Sequence, residues 1–316
     1  MRMRPSRERG VALVLVLWLA TLLMVVASDF LFATRTDALV IRNSLSMARA
    51  ESIADAAINR AAFEVYRIDN GADIWRRDGV PRAWAFDGAR VRIEMRDESA
   101  RIDINTASDA LLKGLLVSTG LNDEESSRLL DAILDWRDPD SLKRPNGAEE
   151  GEYRAAGLAY RPANAPFQAI EEIQLVLGMR PEIFRRVAPM ITVFSRQTGV
   201  NTLTATREVL LAIPGLTAET VDAYIARREE ARAKGQPLPA FPEAGGFASP
   251  PNSQVITIRA EARLEDGSAF VREAVALMRP VPRRPVTYLA WREVSAPATE
   301  PAAGAAIGVP STQESR

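Results

Sequence analysis

The sequence contains no cysteine and no histidine in its 316 residues. Disulfide staples, thiolate nucleophiles, a histidine general base, a Ser-His-Asp triad and a zinc site built on imidazole or thiolate are therefore excluded. An excess of one charge sign is lacking as well. Basic side chains number 40 and acidic ones 41, a net charge of -1, so no global field points to nucleic acid or anionic lipid. A chain without disulfides must be held by its core or by something else, and a bound hard cation is one candidate.

Proline, glycine and charge are all missing from one stretch, Val11 to Ala27. It is apolar on every side, which suits lipid or a greasy bundle better than a soluble core. Arg2, Arg4, Arg7 and Arg9 precede it, and positive flanks stay on the cytoplasmic face. The expected location is the inner membrane, single-pass, with the C-terminal head in the periplasm.

An ordinary signal peptide would need a small-residue cleavage site after the apolar run. The run instead passes through Ser28-Asp29 into Phe30-Leu31-Phe32, and the small residue precedes it, as Arg9-Gly10. That order resembles the type III signal of prepilins, which implies peptidase cleavage between Gly10 and Val11 and an N-methylated Val11. Pilins and pseudopilins mostly carry Glu at the fifth mature residue, where this chain has Leu15. Leu15, Leu17, Trp18 and Leu22 are the expected assembly face of the stem helix.

Beyond the membrane, apolar residues continue at helical spacing through Leu45, Ala50, Ile53, Ala57, Ala61 and Val65, so one long helix is expected, ended by Asn70-Gly71. Alternation then marks Val91, Ile93 and Met95, and after Asp97-Glu98-Ser99 the pattern returns at Ile102 and Ile104, read as an antiparallel hairpin. A second hairpin is expected from Ile256 to Leu264, through Asp266-Gly267, and back over Phe270 to Met278. Both hairpins need a greasy surface, and the long helix supplies one. The interval from Gln236 to Pro251 is expected to be a flexible connection.

Between the hairpins an internal repeat appears at Gly120-Leu121, Gly178-Met179 and Gly215-Leu216, each followed by a glutamate. These read as helix-hairpin-helix turns with a left-handed glycine after the first helix. Asn105-Thr106 and Asn201-Thr202 are expected to open helices, and a capped helix is expected to begin near Asn122. Turns of this kind elsewhere present backbone amides to phosphate, so a membrane-anchored DNA-binding or uptake protein is the alternative reading. Asp123, Glu124, Glu182 and Glu219 beside the turns oppose it.

The densest chemistry runs from Asp135 to Tyr153, with Asp135 ending a helix and Asp138 and Asp140 in a loop behind Pro139. Close carboxylates repel unless a cation lies between them, and a flexible loop of oxygens suits calcium, which takes about 6 to 8. Glu149, Glu150 or Glu152 could complete the shell. The spacing is not that of an EF-hand. A solvated acidic loop neutralised by Arg137, Lys143 and Arg144 fits the spacing equally well. A carboxylate-based hydrolase ranks third, because only Trp136 and Tyr153 offer rings for a sugar.

Taken together, Arg9-Gly10-Val11-Ala12-Leu13, Asp103-x-Asn105-Thr106-Ala107, Asp135-Trp136-x-Asp138-x-Asp140, Gly147-Ala148-Glu149 with Tyr153, and Asn201-Thr202 resemble the general secretion pathway protein K family, the minor pseudopilin K of type II secretion. The resemblance extends to about Pro280. It implies an α+β fold: a pilin-like long N-terminal helix on a small antiparallel sheet, with a large all-α helix-hairpin-helix (SAM-like) domain inserted in the sheet. It implies calcium as cofactor at Asp135, Asp138, Asp140 and Glu149, with Glu152 a further candidate. It implies a pseudopilus-tip subunit that is not an enzyme. The implied partners are other minor pseudopilins, the major pseudopilin, the prepilin peptidase and secreted substrates, without nucleic acid. The expected organisation is a leader over 1–10, an assembly helix over 11–34, a head over 35–104 and 246–280, an insert over 105–245, and a largely disordered tail over 281–316, whose aromatic patch Tyr288-Leu289-Ala290-Trp291 is expected to dock back on the head rather than offer a partner contact.

Overall fold

The computed structural model describes residues 9–67, 75–250, 254–279 and 284–295. Helix α1, Arg9–Tyr66, runs unbroken for 58 residues. Neither proline nor glycine occurs between Val11 and Tyr66, so nothing kinks it. Asn70-Gly71, the expected terminator, lies outside the described residues. From Ala50 onward one face is buried: Ala50, Ile53, Ala54, Ala57, Ile58 and Ala61 recur every three or four residues. Most are alanine, which lets the helix backbone approach the sheet closely.

The sheet has five strands in the order β1-β2-β5-β6-β7: Arg82–Phe86, Ala89–Asp97, Val255–Arg263, Ala269–Met278 and Val286–Glu293. All its pairings are antiparallel. Val91 stands opposite Ala262, Ile93 opposite Ala260, and Met95 opposite Ile258. Because side chains alternate across a strand, this register puts one apolar row on α1 and leaves Arg92, Glu94, Arg259 and Glu261 on the far face. Arg272 is buried between α1 and the sheet. It donates to Asp55 at 2.7 Å and Glu51 at 2.6 Å, and its guanidinium lies over the rings of Phe270 and Trp291.

The structure departs from several expectations. The first hairpin is not Val91–Met95 with Ile102 and Ile104. Strand β2 turns back through Asp87 and Gly88, both at positive φ, onto β1, while Ile102–Asp103 (β3) pairs in parallel with Ile191–Thr192 (β4). The 3-10 turn Glu98–Ala100, held by Asp97 accepting from the Ser99 N–H at 2.9 Å, redirects the chain out of the sheet. In the tail, expected to be largely disordered, the aromatic patch docks on the head as expected, but it does so as a strand of the sheet. Val286–Glu293 adds strand β7, because Tyr288 and Trp291 cover the apolar edge of α1 and β6, Tyr288 donating to Asn59 at 2.9 Å. Residues 296–316 lie outside the described residues.

The interval from Gln236 is also packed. Phe241 stacks on Tyr224 at 4.0 Å between centroids, and the Val200 N–H donates to the Phe247 carbonyl at 2.8 Å. Gly199 sits so close to that carbonyl that a Cβ would stand 2.3 Å from its oxygen.

Between β2 and β5 the chain forms helices α2 (Asp109–Ser118), α3 (Asp123–Arg137), α4 (Glu150–Ala155), α5 (Pro181–Val187), α6 (Arg207–Leu211) and α7 (Ala218–Ala233). They enclose a second core around Leu112, Leu116, Ile133, Tyr153, Phe167 and Tyr224, separate from the core under the sheet. Gly120, Gly178 and Gly215 all take positive φ at the repeat turns. The segment before Gly178 is a 3-10 helix, Ile170–Leu175, rather than an α-helix.

The Asn-Thr pairs do not cap. Ser108 caps α2, accepting from the Leu111 N–H, and Thr206 precedes α6. Asn105 instead exchanges two hydrogen bonds with the Phe167 backbone, at 2.8 and 2.9 Å. Asn122 does cap α3, in a capping box with Glu125. Glu98 joins the two units. It is fully buried and accepts from the hydroxyls of Thr192 in the helical unit and Thr257 in the sheet, with Arg101 at 3.2 Å.

Candidate metal centre

The acidic loop begins where α3 stops. Asp135 lies in its last turn and is wholly buried, Asp138 is the C-cap, and Pro139 forbids continuation. The chain then curls back so that the main-chain N–H of Arg144 donates to both Asp135 oxygens, at 3.2 and 3.3 Å. Gly147 passes directly over the same carboxylate. Asn146 ties the outer edge of the loop to Asp131, donating from its backbone at 3.0 Å and its amide at 3.1 Å. Asp140 accepts from the Leu142 N–H at 2.8 Å.

Glu149 follows as the N-cap of α4 and is 8% exposed. Its Oε1 and the Oδ1 of Asp138 are buried and have no hydrogen-bond partner. Burial pushes the Asp135, Asp138 and Glu149 carboxyls above their ordinary values. Neighbouring carboxylates raise them further: Asp138 acts on Asp135, Asp140 on Asp138, and Asp135, Asp138, Asp140 and Glu152 on Glu149. Unpaired buried charge of one sign is costly unless a cation is present.

The basic side chains only partly fill that role. Arg144 Nε lies 3.7 Å from Asp135 and 4.0 Å from Asp138 and has no hydrogen-bond partner of its own. Arg137 turns inward and donates to the carbonyls of Ile104 and Ala107, so it makes no direct ion pair with the loop and reaches Asp138 only through its field. Lys143 pairs with Glu152 at 2.7 Å.

Of the expected ligands, the structure therefore gathers Asp135, Asp138, Asp140 and Glu149 around one loop. Glu152 is engaged elsewhere. Besides Lys143 it accepts from the Glu149 N–H at 3.0 Å, and its carboxyl is held below the ordinary value by Lys143. Glu150 faces Arg154 and Arg161. Among the described residues no three carboxylates are already closed around one ion position. The donor set still fits a hard cation, since the atoms left without partners are carboxylate oxygens.

Aromatic rings wall the loop on its inner side. Trp136 stacks on Phe167 and meets Tyr153 and Tyr160 at centroid distances of 6.0 and 6.5 Å. Trp136 donates to Glu172 at 3.0 Å, and Tyr153, whose hydroxyl pKa burial pushes up to about 12, accepts from the Leu177 N–H at 2.9 Å. Both rings are buried, so neither is free to stack on a sugar.

The other expected sites lie on α1. Residues 1–8 of the leader are outside the described residues, and Gly10 and Val11 fall within the first turns of the helix. Leu15, Leu17, Trp18 and Leu22 are each more than half exposed and have no packing partner on the head. Among the described residues α1 is the one helix long and apolar enough to cross a membrane.

Residues 93–196, which contain the whole acidic loop, match the family described as type II secretion system (T2SS), protein K. The chain is 28% identical over 244 residues to type II secretion system protein K of Pseudomonas aeruginosa, covering 68% of this chain and 72% of that protein. It is 26% identical over 231 residues to the protein K of Klebsiella pneumoniae, covering 65% and 70%. The fold is similar to a chain in the crystal structure of the GspK-GspI-GspJ complex from the enterotoxigenic Escherichia coli type 2 secretion system. The TM-score is 0.54 at 15% identity, over 83% of this chain and 99% of that one. Residues 93–196 thus carry the domain of the type II secretion system protein K family, and the chain is similar to protein K relatives over about two thirds of its length.

Proposed function

We propose that this protein is a minor pseudopilin that caps the pseudopilus, with no enzymatic activity of its own and a periplasmic head held together by calcium. One observation carries the reading. The helix that forms the floor of the head continues as a rod whose apolar side chains, from Leu13 to Met47, meet nothing in the chain. Such a surface needs neighbours of the same kind, lipid first and other stems later, and transfer between the two loses little free energy. The head is far wider than the rod, so a subunit stacked above it would collide, and the end of the filament is the place that accepts it. Leu15 at the fifth mature position leaves no charge to meet such a subunit. By analogy with the GspK-GspI-GspJ complex, its partners are the counterparts of GspI and GspJ, and the Gly10–Val11 junction is the cleavage and methylation point.

Asp135, Asp138, Asp140 and Glu149 are the residues that would hold calcium, which supplies positive charge to the loop. The chain's own contribution is orientation. Main-chain donors fix Asp135, Pro139 sets the turn, and Lys143 keeps Glu152 aside. The glycine turns serve as a helix-hairpin-helix scaffold of the SAM-like kind. DNA binding is not favoured, because Asp123, Glu124 and Glu182 are exposed beside them.

The test is co-purification of the full-length protein from membranes with the two other minor pseudopilins of its own system, alongside secretion in a strain lacking it. Failure to co-purify, or secretion unaffected by its loss, would contradict the assignment.

A further inference from the structure

Four of the side-chain atoms that are buried without a hydrogen-bond partner cluster at the acidic loop. They are Asp138 Oδ1, Glu149 Oε1, Arg144 Nε and Asn164 Oδ1. The first three belong to the loop itself. Asn164 arrives from 24 residues beyond Asp140, on a segment between Pro162 and Pro166.

Its placement is specific. The Ala165 N–H donates to the Trp136 carbonyl at 3.4 Å, which lays the segment against the end of α3. The Asn164 amide nitrogen donates to the main-chain carbonyl of Asp140 and, at 3.3 Å, to Ser141 Oγ. A carbonyl only accepts, so the nitrogen must face Asp140, and the amide oxygen is fixed on the other side. That oxygen is shut off from water and meets no donor. Asn164 also holds a φ of +47°, a left-handed conformation that asparagine tolerates better than most residues. A buried acceptor without a partner costs stability, and this one belongs to a side chain that touches the loop at Asp140 and Ser141, the same loop in which Asp138 and the nine-tenths-buried Glu149 carry orphaned oxygens.

We propose that the side-chain oxygen of Asn164 is a further ligand of the cation centre, adding a neutral oxygen to the carboxylates of Asp135, Asp138, Asp140 and Glu149. The inference rests on the calcium reading. Calcium's demand for about 6 to 8 oxygens leaves room for a neutral donor, and uncharged amide oxygens are among the groups it accepts. Asn164 adds an oxygen without adding to the repulsion among the carboxylates. It also links the metal to the segment that carries the aromatic wall, since Phe167 lies three residues on.

The experiment is calorimetric titration of calcium chloride into full-length protein in detergent, comparing the wild type with Asn164→Gly and Asn164→Asp. Glycine keeps the left-handed backbone and deletes the oxygen. Aspartate keeps an oxygen and deletes the amide donor to Asp140. The expected result is affinity weakened roughly tenfold or more in Asn164→Gly and retained in Asn164→Asp. If Asn164→Gly binds as the wild type does, or if Asn164→Asp is as weak as Asn164→Gly, the ligand role is overturned and Asn164 only ties the loop. A wild type that binds no calcium overturns the calcium reading itself, and this inference with it.

Discussion

Gly147 and Asp135 share one space: a Cβ on the glycine would stand 2.0 Å from Oδ2 of the buried carboxylate. The close approach lets main-chain N–H groups reach Asp135 from above. Gly147→Ala must push the carboxylate or the loop aside, at a cost of about 1 to 3 kcal/mol. We expect a lowered melting temperature and a reduced response to calcium, both read by thermal denaturation with and without chelator.

The pH dependence follows from the same carboxyls. Asp135, Asp138 and Glu149 have folded pKa values above their unfolded ones. The metal-free fold therefore binds more protons than the unfolded chain, and stability from these groups is present at low pH and lost as pH rises through the raised values. In chelator, the melting temperature should climb as pH falls from 7 toward about 4, the ordinary carboxylate range. Glu152, whose pKa is lowered chiefly by Lys143, works in the opposite sense but is more exposed than any of the three. With calcium, which needs deprotonated ligands, the trend should reverse. A metal-free melting temperature that rises between pH 5 and pH 7 would contradict this assignment.

Glu98 is the junction between the sheet and the helical unit. Glu98→Ala leaves the Thr192 and Thr257 hydroxyls and Arg101 without their shared acceptor, so a loss of about 3 kcal/mol is expected. Denaturation followed by tryptophan fluorescence checks it, and a change under about 0.5 kcal/mol, the scale of an ordinary surface substitution, would refute the keystone role.

Leu22→Arg places a charge in the middle of the exposed apolar rod. Insertion should become about 2.5 to 3.5 kcal/mol less favourable, visible as a smaller membrane-pelleted fraction. An unchanged fraction would argue that the rod is not the anchor.

The long helix and the β5-β6 hairpin were legible because their periodicities of 3.6 and 2 are clean and Asp266-Gly267 marks the turn. The β1-β2 hairpin was not, although Asp87-Gly88 is a comparable turn signal. Strand β1 is short, and Ile102 continued the alternation of β2 so well that its departure to β4 left no mark in the pattern. Strand β7 hid in a proline-rich setting, since its worth lies in covering an edge formed by residues far away in sequence. In the acidic loop, the spacing of Asp135, Asp138 and Asp140 made the crowding of carboxylates legible. It could not foretell that Arg137 turns inward, that Lys143 holds Glu152 away, or that Asn164 is delivered by a separate segment.

Helix α1 joins the rod to the underside of the sheet with neither glycine nor proline between Val11 and Tyr66. There is no hinge at which a pull on the lower half can be absorbed. A thrust from below would therefore arrive undiminished at the alanine ridge, and the head would move as one piece with its shaft.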